Sequence, residues 1–161
     1  MTPKIKIQIA SVVQMEEPTD EVKIVLLERK ITESMEVYSI LPYRIATQKK
    51  IGAQTALTDD LERQLQKIVT SLNLLMRRRD KIKGSPEKTY VSSEMTVSGE
   101  TLVRLLRMEA GIWSNTYYST QIDLEVAKEV GTSLEETEKQ LKNSLKAFNF
   151  IKSEIARLEK K

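Results

Sequence analysis

Between residues 98 and 160 apolar side chains return every three or four positions, with one break at Gly131-Thr132. That spacing matches the pitch of an α-helix and puts the apolar groups on one face. In the first segment the stripe is Val103, Leu106, Ala110, Trp113, Tyr117, Thr120, Leu124 and Ala127. It keeps a heptad register, with Gly111 inside it as a weak point. In the second segment the stripe is Leu134, Leu141, Leu145, Phe148, Ile151, Ile155 and Leu158. Ser98 is the expected cap of the first helix, with Glu100 in its opening turn, and Gly131 ends it. Ser133 through Glu136 read as a capping box for the second. A link this short predicts an antiparallel hairpin, or else one bent helix.

Residues 58–83 predict a third helix. Thr58 is its expected N-cap, followed by Asp59, Asp60 and Glu62 at the positive end of the dipole. The stripe Leu61, Leu65, Ile68, Leu72, Leu75 and Ile82 contains one misfit, Arg79. Gly84 and Pro86 stop the helix.

The N-terminal third reads differently. Ile5, Ile7 and Ile9 alternate with Lys4, Lys6 and Gln8, the period of a half-buried strand. Residues 16–20 form a turn around Pro18. Val22, Ile24 and Leu26 alternate too, although Thr19 or Asp20 is equally suited to cap a short helix. A strand over 21–31 is favoured because it gives residues 4–13 an antiparallel partner. Residues 34–41 read as a further strand ending at Pro42. Residues 43–57 stay open between helix, strand and loop. Residues 88–97 stay open between a short strand and an extended connection.

The expected fold is therefore α+β. A small N-terminal antiparallel β-sheet occupies residues 1–57. Three long amphipathic helices over 58–161 form a helical hairpin or bundle with coiled-coil character, and the two regions make one structural unit. Burying one Leu or Ile contributes about 1.5–3 kcal/mol, so stripes of this length require a partner surface. Helices of about 40 Å are long for a chain of this size. That length points to a homo-oligomer built on helices 98–130 and 133–160. Its expected anchors are Leu106, Trp113, Tyr117, Leu124, Leu141, Phe148, Ile151 and Ile155.

Composition narrows the function. The chain has no cysteine and no histidine, which removes disulfides, thiolate metal sites and the commonest general base. It contains no glycine-rich phosphate loop and no nucleophile elbow. No segment has the run of about 20 apolar residues that a membrane span needs. The N-terminus lacks the continuous apolar core of a signal peptide, so a cytoplasmic location is expected. The net charge is only +3. Residues 58–83 hold the one local excess, seven basic side chains against four acidic.

These features predict a non-enzymatic binding or assembly protein with no cofactor, metal or catalytic site. It would be a homo-oligomeric structural or adaptor subunit, of a viral or phage particle or another large complex. The alternative is a phosphate-ligand binding protein. In that reading Arg77, Arg78, Arg79, Lys81 and Lys83 hold the phosphates of a nucleotide or nucleic acid, and Trp113 or a tyrosine stacks on the base. A plainer account of the basic turn is that cations complement the C-terminal end of a helix dipole. Consecutive arginines on a helix also point in different directions. Trp113 and Tyr117 likewise suit a packed core or interface as well as a ligand.

Overall fold

The computed structural model describes residues 15–160. Four long helices account for most of them: α1 (Asp20–Lys50), α2 (Thr55–Lys83), α3 (Gly99–Val130) and α4 (Glu135–Glu159). A short 3₁₀ turn, Ser92–Met95, lies between α2 and α3. No strand occurs among the described residues, so the expected N-terminal sheet is corrected. Its first element, residues 4–13, lies outside the described residues. The other two, 21–31 and 34–41, both belong to α1.

The physical reason lies in which period α1 uses. Ile24, Leu27, Ile31, Tyr38, Leu41 and Ile45 are buried or half-buried, a spacing of three, four and seven that only a helix provides. Val22 and Leu26, which completed the apparent alternation, are exposed. The Thr19 hydroxyl accepts from the Val22 N–H at 3.4 Å, and Asp20 and Glu21 sit in the first turn. The helix runs through Pro42, which lacks the N–H for the bond to Tyr38. An interior proline costs about 3 kcal/mol. Burial of Ile40, Leu41 and Ile45 around it offsets that cost.

Two helix starts also differ from expectation. α2 begins at Thr55, with Gln54 at its cap and no side-chain bond there. Thr58 is buried one turn in, and its hydroxyl donates to the Thr55 carbonyl at 2.9 Å. α4 begins at Glu135 after Leu134, with no side-chain cap, so the Ser133 box does not form. The Ser98 cap does form: its hydroxyl accepts from the Thr101 N–H at 3.2 Å. Gly84 and Gly131 both close their helices at φ 78°, a left-handed conformation that suits glycine.

α1 packs along α2, and α3 packs along α4. The second pair is the hairpin that the Gly131-Thr132 link predicts, because the chain reverses there rather than bending. Two apolar clusters hold the molecule. One joins Ile31 of α1 to Leu72 and Met76 of α2, sealed by Tyr90 and Met95 from the α2–α3 connection. That connection is therefore extended chain and a 3₁₀ turn, not a strand. The other joins Ile40 of α1 to Leu106 and Ala110 of α3 and to Ile151 and Ile155 of α4. α1 thus contributes to both, and it ties the two hairpins together. Arg44 adds a polar tie, donating through Nε (3.0 Å) and Nη2 (2.6 Å) to one oxygen of the nearly buried Glu109. Arg104 reaches Glu36 at 2.8 Å beside it.

Neither cluster includes any residue of α3 beyond Trp113 or of α4 before Phe148. The distal seventeen residues of α3, about 25 Å of helix, are buried only along the seam with α4. The accessible surface reaches 11,500 Å². A compact monomer of this mass exposes about 8,200 Å².

Candidate interaction surfaces

The eight expected anchors fall along one seam inside the chain. Leu106, Ile151 and Ile155 are in the α1–α3–α4 cluster, and Trp113 and Phe148 pack against it. Tyr117, Leu124 and Leu141 are half-buried farther along α3 and α4. The Tyr117 ring meets Tyr118 edge-on, with centroids 5.5 Å apart. Every residue of the expected α3 stripe is buried or half-buried. On α4, Leu145 is exposed, while Ser144 and Ala147 occupy the buried face. Small side chains there let the two helices approach closely. An exposed apolar row lies elsewhere.

It lies on the opposite side of α3. Met108, Ile112, Ile122, Val126 and Val130 are each 56–69% exposed. At 100° per residue they form a second row, about 150° around the helix from the seam. Asn115 and Ser119 fill the middle of the same row. Sequence reading missed it because one apolar face per helix was assumed. The signal was present as a second set of heptad-spaced positions, with two small polar residues at its centre.

The basic turn of α2 does not act as one group. Arg79 points inward: Nε donates to Asp80 at 3.0 Å, and Nη2 donates to the Tyr90 hydroxyl at 3.2 Å. Asp80 and Tyr90 are buried, which explains a charged residue on an apolar stripe. Lys83 pairs with Glu28 at 3.3 Å, and Arg77 pairs with Glu87 at 3.5 Å. Arg78 and Lys81 have no carboxylate partner among the described residues. They share an open hollow of about 360 Å³ with Leu74, Arg77, Ser85 and Glu87. The aromatic group beside the turn is Tyr90, with the Lys88 ammonium 4.6 Å from its ring centre. Trp113 lines a different hollow, with Arg44, Leu57 and Leu61. Of the two expected stacking groups, a tyrosine (Tyr90) lies beside the arginines and Trp113 does not within one chain.

Two further features bear on chemistry. No group of three or more Asp or Glu among the described residues is placed to hold a metal ion. No described helix is long and apolar enough to cross a membrane. No protein family, no curated protein and no solved structure matches the chain.

Proposed function

We propose that this chain is a binding or assembly protein that works by helix-face contacts, with self-association as its primary interaction. The observation that carries this reading is the second apolar row of α3. Five large apolar side chains, each more than half exposed, are aligned at the spacing that helix pairs use. Soluble chains scatter exposed hydrophobes singly, and an aligned row of five, parted only by Asn115 and Ser119, suits a contact surface. The core-facing stripe is already filled by α4, and more than half of each side chain in this second row stays exposed. The cross-helix ion pairs of Arg44 and Arg104 keep α3 on a rigid base, which suits a docking element.

The test is the molar mass in solution at micromolar concentration, by light scattering at low and high salt. The expected result is a multiple of 18.5 kDa that persists as salt rises, because apolar contacts are not screened. A mass of 18.5 kDa at all concentrations overturns the reading.

A second reading rests on Arg78 and Lys81. Two cations without carboxylate partners, facing one hollow beside Arg77, suit a phosphate group. Binding of this kind weakens steeply with salt. Arg78→Ala with Lys81→Ala is expected to remove any binding of a labelled oligonucleotide or nucleotide, and retained binding contradicts it.

A further inference from the structure

We propose that the outward row of α3 packs on the same row of a second copy, antiparallel, about a two-fold axis between Asn115 and Ser119. This rests on the assembly reading above and adds its geometry.

Three observations on α3 fix the occupant and its direction. The first is the symmetry of the row. Centred between 115 and 119, it places Met108 opposite Val126 of the second copy, Ile112 opposite Ile122, and Asn115 opposite Ser119. Four of the five apolar positions meet apolar positions, Val130 falls beside the aliphatic stem of Arg104, and the two polar ones meet each other at the axis. Their short side chains permit close approach and can hydrogen-bond across it. A self-complementary patch of this kind is what a two-fold interface requires.

The second observation is charge. Arg104 and Arg107 flank the row near the start of α3, and Glu125 and Glu129 flank it on the same side near the end. Same-side flanks face each other when two helices run antiparallel. The register above then sets Arg104 against Glu129 and Arg107 against Glu125 of the second copy. Both arginines are more than half exposed, although Arg104 already meets Glu36 and Arg107 meets Glu159 within the chain. The second copy therefore adds a second carboxylate to each, and neither Glu125 nor Glu129 has an ion pair among the described residues. In a parallel arrangement these same-side flanks no longer face each other, so Glu125 and Glu129 lose the arginines as partners.

The third observation is area. Five such side chains expose roughly 100 Å² apiece, so two copies bury about 1,000 Å² before their flanks are counted. That sits at the lower limit of a specific interface, about 1,000 Å², and the flanking arginines and glutamates add to it. The distal part of α3 is exposed beyond both core clusters, so it can lie along the proximal part of the second copy's α3.

The cysteine-free chain allows a clean test. Met108→Cys and Val126→Cys are made as separate proteins, mixed at micromolar concentration, and treated with a short thiol-specific crosslinker. Both positions are exposed, and circular dichroism checks that each variant retains its helix content. The expected result is a covalent dimer joining 108 to 126 in the mixture, with several-fold less product from either variant alone. Efficient crosslinking of each variant to itself overturns the antiparallel arrangement. No crosslink in any sample, from a wild-type protein whose mass is a multiple of 18.5 kDa, overturns this interface and leaves assembly by another face. A wild-type mass of 18.5 kDa removes both readings.

Discussion

At the scale of single residues, burial and partner satisfaction separate side chains that look alike in the sequence. Leu106 is fully buried and Ile122 is exposed, although both are large aliphatic groups on α3. Leu106→Ala is expected to destabilise the fold by about 2–5 kcal/mol, read as a shift in the denaturant midpoint. Ile122→Ala changes the stability of the isolated chain by no more than about 0.5 kcal/mol. Asn73 is a polar case. Its side-chain oxygen accepts from the buried Tyr90 N–H at 2.8 Å, and its amide donates to the Val69 carbonyl at 3.1 Å. Asn73→Ala leaves that N–H without its partner and is expected to cost about 1–3 kcal/mol. Arg79 shows why single residues mislead at the sequence level. It read as a break in an apolar stripe, and the structure makes it the partner of Asp80 and Tyr90, groups whose proximity depends on the α2–α3 connection folding back.

At the scale of elements, legibility followed the number of competing periods. α3 and α4 have one helical period each, and Gly131 ends α3, so their hairpin was readable, whereas α4 starts at Glu135 rather than at the Ser133 box. α1 contains enough β-branched and aliphatic residues to satisfy both a two-residue and a helical period between 22 and 41. Length decides between them: the helical match continues unbroken to Ile45, far beyond the span of a strand. Pro42 reinforced the error, because a proline ordinarily ends an element. Here packing on both sides of it carries the helix through. Pro42→Ala restores a backbone donor in an already helical position, and thermal unfolding is expected to show a gain of about 1–3 kcal/mol. Gly131 works in the opposite direction. Its φ of 78° disfavours any residue with a side chain, so Gly131→Ala is expected to lose about 1–2 kcal/mol in the same assay. A rise in stability there would contradict the turn that joins α3 to α4.

At the scale of the whole molecule, the two hairpins share α1 as their common wall, and the distal part of α3 extends past both apolar clusters. The anchors chosen from the sequence mark the internal seam of the second hairpin. A second, exposed apolar row lies on the far side of α3, invisible to a reading that allots each helix one apolar face. The link we propose from fold to function is that α3 carries two faces, one for the fold and one for assembly. The most direct measurement is the solution molar mass of Ile122→Asp with Val126→Asp beside wild type, with helix content followed by circular dichroism. The account expects the wild-type mass to be a multiple of 18.5 kDa, and the double variant to fall to 18.5 kDa with helix content unchanged. A double variant that keeps the wild-type oligomeric mass contradicts it.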